Sequence, residues 1–105
     1  MKTFTLSIST YHKINNGVII CNQPNNSKQT ISYVYSHDIP IHLFCKSSKS
    51  KTYKFKGNYN LQSFHKNKLL LMKSFNNSTQ PEVYENDDPF WGLQTHHMGE
   101  GTSGK

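Results

Sequence analysis

From Asp38 to Phe64 the chain reads DIPIHLFCKSSKSKTYKFKGNYNLQSF, and over most of that length apolar and polar side chains alternate. Ile41, Leu43, Cys45, Tyr53, Phe55, Tyr59 and Leu61 share one parity, while Lys46, Lys54 and Lys56 take the other and Lys49 and Lys51 fall in between. Successive side chains leave an extended backbone on opposite sides, so a period of two buries one face only in a β-strand. The pattern predicts strands over Ile41–Lys46, Thr52–Lys56 and Tyr59–Phe64, joined by a loop at Ser47–Lys51 and a tight turn at Gly57-Asn58.

The same signal recurs on either side. Lys2–Ser9 alternates strictly, with Phe4, Leu6 and Ile8 on one face and Thr3, Thr5 and Ser7 on the other. Tyr11–Ile14 and Val18–Cys21 flank Asn15-Asn16-Gly17, and Asn-Gly supplies the positive φ that a tight hairpin turn needs. Asn22–Lys28 reads as a loop, since Pro24 cannot donate to a ladder. Thr30–Tyr35 is dense in β-branched and aromatic residues and predicts a further strand. Leu69–Phe75 is a continuous apolar run in which strand and helix compete. Its length and the Asn76-Asn77-Ser78 stop favour a closing strand. Gln80–His97 has neither period; Pro89-Phe90-Trp91-Gly92 is the one part of it suited to dock on a sheet and seal an open end.

The expected fold class is therefore all-β, a small antiparallel sandwich or partly open barrel of six or seven short strands with an irregular C-terminal tail. Residues 1–80 form a basic β-domain and 81–105 an acidic, largely irregular tail, with 98–105 disordered. The split follows charge. Residues 1–80 hold eleven lysines against the single acid Asp38, whereas residues 81–105 hold one lysine against Glu82, Glu85, Asp87, Asp88 and Glu100. Arginine and alanine are absent, while lysine, serine and asparagine dominate, a composition that coding drift in an AT-rich genome also produces.

Several function classes lose their chemistry on this inventory. A metal-dependent nuclease gathers carboxylates around Mg²⁺, and residues 1–80 offer only Asp38. His37, His42 and Cys45 have a faint metal-ligand spacing, but on a strand beginning at Ile41 the side chains of His42 and Cys45 point to opposite faces. The same parity rules out a Cys45–His42 nucleophile pair. Neither a glycine-rich phosphate loop nor a G-x-S-x-G elbow occurs. No catalytic residue, metal ligand or cofactor is assigned. Cys21 and Cys45 read as small core residues, and the N-terminus lacks the apolar run of a signal peptide, so a cytoplasmic location is expected. No segment has the pattern of a membrane helix.

Binding is better supplied. Lys46, Lys49, Lys51, Lys54, Lys56, Lys66 and Lys68 fall on adjacent predicted strands and their loops, where they would attract a phosphate backbone by counterion release. Tyr53 and Tyr59 interleave with them as candidates for base stacking. Without arginine the commonest bidentate contact to guanine is missing, which leaves any finer readout to Asn and Gln amides and aromatic rings.

The residues Ile41, His42, Leu43, Phe44 and Lys46, followed by Tyr53, Phe55 and Gly57, resemble a strand pair of bacterial restriction systems. The pattern is an I-H-L-F-x-[RK] strand followed by an aromatic strand ending in x-G. It is similar to the DNA-reading β-domain at the C-terminus of restriction-helicase-like proteins and, more distantly, to SRA-type (YDG) readers of modified DNA. The resemblance spans about residues 31–75 and carries no base-pocket residue. It implies DNA reading beside a nuclease on another chain.

The sequence thus favours a small non-catalytic nucleic-acid-binding module, DNA ahead of RNA, associated with a restriction or phage-defence system. Two alternatives stay open. One is a lineage-restricted protein or truncated fragment without a ligand, its charge a product of codon bias. The other is an interaction or inhibitor module that meets a nuclease or another protein through its acidic tail.

Overall fold

The structure, a computed structural model, describes residues 2–46, 49–74 and 85–95. Its elements in chain order are β1 (Lys2–Ile8), β2 (Tyr11–Asn15), β3 (Val18–Asn22), α1 (Lys28–Ser36), β4 (Ile41–Lys46), β5 (Tyr53–His65), β6 (Lys68–Lys73), β7 (Glu85–Asn86) and β8 (Trp91–Thr95). The fold is predominantly β, as the alternation requires. It is built on a single open sheet in the order β2-β3-β6-β5-β4-β1-β8, with β7 pairing β5 off that path.

Local chemistry accounts for the hairpins. Gly17 turns the β2–β3 hairpin with φ +84°. Between His65 and Lys68 the two turn residues, Lys66 and Asn67, both have positive φ, which matches the right-handed twist of the strands they join. The apolar run after Lys68 is a strand, β6; Phe75, and residues 98–105 that are expected to be disordered, lie outside the described residues.

Three expectations need correction. The first is Thr30–Tyr35, which lies inside α1 and not in a strand. β1 and β4 pair in parallel, Phe4 with Ile41 through Ile8 with Cys45, and parallel neighbours need a crossover that carries the chain back to the starting end. Ile31 and Val34, three apart on one helix face, are buried in the core with Ile39, and this packing overrides β-propensity. The sheet is consequently mixed and not purely antiparallel.

The second concerns Gly57-Asn58. No turn forms there; β5 runs unbroken through thirteen residues. It carries two register shifts instead, one where Leu43 and Phe44 face Gly57 and Phe55, the other where Leu61 and Ser63 face Leu71 and Leu70. Gly57, with φ +122°, supplies the backbone for the first. The bulge exchanges faces: Tyr59 pairs with Ile41 on the core side, whereas Phe55 pairs with Phe44 on the other.

The third is the tail. Glu85–Asn86 and Trp91–Thr95 are strands, paired with β5 and β1 respectively, so this part of the acidic segment belongs to the sheet. Phe90 does the sealing expected around Trp91. Its ring meets Phe44 edge-on at 5.0 Å and Tyr53 at 6.0 Å, while Trp91 lies 6.3 Å from Phe4 and stays half-exposed.

The core occupies one side of the sheet. Phe4, Leu6, Ile41, Leu43, Leu69 and Leu71 are wholly buried there, closed over by Ile31 and Val34 of α1. The sheet coils about this core far enough to set the Tyr11 hydroxyl of edge strand β2 beside the Cys45 thiol on β4. Among the described residues no ladder joins β2 to β1, and the coil remains open.

Candidate functional site

At the end of the molecule where β1 and β4 finish, a cleft of about 470 Å³ opens between three walls. The end of β1 and its turn (Ser7–Thr10) form the first, the loop Asn22–Asn25 the second, and Tyr53 with Pro89–Trp91 the third. Each wall has a local cause. The β1–β2 turn is too short to cover its own strand end. The β3–α1 loop is pinned by Ser27, whose buried hydroxyl donates to the Pro24 carbonyl at 2.5 Å, and by the Gln23 amide donating to the Asn67 carbonyl at 2.7 Å. The third wall is clamped to β1, since the Ser7 hydroxyl donates to the Phe90 carbonyl at 2.8 Å and accepts from the Phe90 amide at 2.7 Å.

The lining carries amides, hydroxyls and rings and no charged side chain. Charge is placed on two opposite rims. On one, the Lys46 ammonium stands 5.4 Å from the centroid of the Tyr53 ring, and Tyr53 lines the cleft. Lys49 and Lys51 are exposed in the following turn, which Ser50 organises by accepting the Thr52 amide at 3.2 Å. Lys54 is exposed one residue beyond Tyr53. On the other rim, the Lys68 ammonium donates to Asn22 Oδ1 at 2.7 Å, and Asn22 also lines the cleft. Lys66 is exposed at the adjoining turn. The seven lysines therefore do not make one strip along a hairpin. Lys46 stands beside one wall of the cleft with Lys49, Lys51 and Lys54 near it along the chain, Lys68 stands beside another with Lys66 at the adjoining turn, and Lys56 sits at the bulge toward Cys45.

The two tyrosines are placed otherwise than base stacking would require. Tyr59 is turned into the core by the bulge and is 6% exposed, and desolvation raises its phenol pKa. Tyr53 is 4% exposed, its ring spent on Lys46 and Phe90. The ring that is open at the cleft is Trp91, 38% exposed. Sequence reasoning marked the Pro89–Gly92 run as a seal for the sheet and gave Trp91 no part in binding. It also passed over Asn22 and Gln23, whose type is unremarkable in an Asn-rich chain and whose meaning comes only from the Lys68 and Asn67 contacts.

Parity holds on β4. His42 lies edge-on to Phe55 at 5.8 Å on one face while Cys45 joins the core on the other. Among the described residues no three His, Cys, Asp or Glu side chains converge as metal ligands would. Burial pushes the Cys21 thiol up to about 12 and the Cys45 thiol up to about 11. The ammonium groups of Lys56 and Lys13 and the Tyr11 hydroxyl hold Cys45 lower than burial alone would. Both thiols are protonated at neutral pH, which suits packing and not nucleophilic attack. Among the described residues no helix is long and apolar enough to cross a membrane.

Comparison with protein families, with curated proteins and with solved structures returned no match to this chain.

Proposed function

We propose that this chain is a small non-catalytic nucleic-acid-binding module whose site is the cleft at the end of β1. The observation that carries the reading is the pairing of Lys46 with Tyr53 and of Lys68 with Asn22, because Tyr53 and Asn22 are walls of the same cleft. Cationic rims around an uncharged, amide-rich hollow suit a strand whose phosphates pass outside while one base turns inward. Trp91 is the ring against which that base stacks, and the amides of Asn22, Gln23 and Asn25 are the groups able to bond its edge. DNA in a restriction or phage-defence setting is the finer form of this proposal, supported by the resemblance of Ile41–Gly57 to restriction-associated DNA readers.

Fluorescence anisotropy with a labelled single-stranded oligonucleotide, and with the same sequence as a duplex, tests it. Four phosphate contacts to a single strand imply an affinity that falls about fifty-fold between about 50 and 200 mM salt. Lys46→Gln with Lys68→Gln should weaken binding and flatten the salt dependence, and Trp91→Ala should weaken binding without changing that slope. No binding at low salt, by single strand or duplex, sinks the reading.

A further inference from the structure

Resting on the reading above, we infer that Glu85–Asp88 is a built-in competitor that occupies the lysine-bearing edge of β5 until a phosphate chain displaces it. At Tyr53 and Lys54 the strand β5 has β4 on one side, and β7 pairs the other, Tyr53 with Asn86 and Lys54 with Glu85. The register thus sets an acidic residue opposite Lys54, the neighbour of the cleft residue Tyr53. The chain then continues through Asp87 and Asp88, both exposed. Apart from Asp38, these three are the only acidic residues among those described, and Glu85 lies in register with Lys54.

The attachment is asymmetric in a way that suits release. β7 is held to β5 by two register pairs, whereas β8 makes five with β1 and is preceded by the doubly bonded Phe90. A two-residue strand opens at far lower free energy than the ladder beside it. Phe90 forms a fixed point, so Glu85–Asp88 can leave β5 while the third wall of the cleft stays in place. Opposite charges across neighbouring strands attract, and an incoming phosphate chain needs the same lysines, so the two are mutually exclusive there. Tail and ligand compete for one edge.

The test uses the full chain, a fluorescein-labelled oligothymidylate and about 50 mM salt, with hydrogen–deuterium exchange as a second readout. The variant Glu85→Gln, Asp87→Asn, Asp88→Asn should bind about five-fold tighter than the unaltered chain. Asp38→Asn, which removes one negative charge away from this edge, should change affinity by less than about two-fold. In the unaltered chain, the amides of Glu85–Asp88 should exchange faster in the complex than in the free protein, while those of Trp91–Thr95 do not. Unchanged affinity in the triple variant overturns the inference and leaves the nucleic-acid site standing. Tighter binding without faster exchange at Glu85–Asp88 also overturns it, because that is a charge effect with no displacement. If neither the unaltered chain nor the triple variant binds, the reading of the cleft itself falls, and the competitor with it.

Discussion

Ser7 and Phe90 are 83 positions apart and hold each other twice, the Ser7 hydroxyl donating to the Phe90 carbonyl and accepting from the Phe90 amide. The Ser7 amide adds a third bond to the same carbonyl at 2.9 Å. Through this clamp the last strand of the described chain is tied to the first, and one wall of the cleft is built from the other.

Ser7→Ala should therefore cost about 1–3 kcal/mol, since it leaves the Phe90 amide without its partner in a half-buried setting. A urea melt gives the stability, and Trp91, the only tryptophan, gives a local signal. The tryptophan emission should shift to the red in the native state. A stability loss with no change in Trp91 emission would mean that the clamp does not position β8.

Gly57 holds φ +122°, which any side chain disfavours, yet a Cβ there would make only an ordinary 3.6 Å contact with Lys73 Cε. The cost of Gly57→Ala is thus conformational and not steric, about 1–3 kcal/mol. A lowered thermal midpoint with an unchanged far-ultraviolet spectrum is the expected result. A neutral substitution would show that the bulge does not need this glycine.

Thr5 is 5% exposed and its hydroxyl makes no hydrogen bond. Thr5→Val removes a buried polar atom at nearly constant shape, and the protein should gain about 1 kcal/mol. Chemical denaturation decides the sign. A loss of stability would mean that the hydroxyl is satisfied in solution.

The two cysteines make stability depend on alkaline pH. Burial raises both thiols, from 9.0 to about 12 for Cys21 and to about 11 for Cys45. Below pH 9 the thiols are protonated in both folded and unfolded chains, and their contribution to stability is fully present. Above it the unfolded chain ionises first, so that contribution is lost as pH rises through the folded values. Tyr11 and Tyr59, also raised chiefly by desolvation, act in the same direction above pH 10. Denaturation midpoints should be flat from pH 7 to 8.5 and fall beyond pH 9, and replacing Cys21 with Val should flatten the fall. At pH 8 a disulfide reagent should label neither thiol in the native chain and both in denaturant.

Removing residues 81–105 does not ask cleanly whether the acidic tail binds a partner. In the fold that cut deletes β7, β8 and the Phe90 plug over Phe44 and Tyr53, so lost binding after it would report a damaged sheet. Charge-neutral substitutions at Glu85, Asp87 and Asp88 ask the question without that loss.

What the amino-acid order decided by itself is local. Alternation in Lys2–Ile8 and Ile41–Lys46 made strands, Asn16-Gly17 made a hairpin, and parity alone separated His42 from Cys45, because each depends on a few neighbouring residues. Tertiary structure decided the rest. The segment with Ile31 and Val34 became a helix because β1 and β4 are parallel, a relation between residues about 37 apart that no window over Thr30–Tyr35 contains. The bulge at Gly57 left Tyr59 on the core face and sent Phe55 to the other, a separation that a strict period of two does not contain. The site followed the same rule: the lysines were visible as a run, but Tyr53 and Asn22 meet at one cleft only after the sheet coils. A strand specifies which of its faces is apolar; which strands lie beside it is settled by the packing of the whole chain.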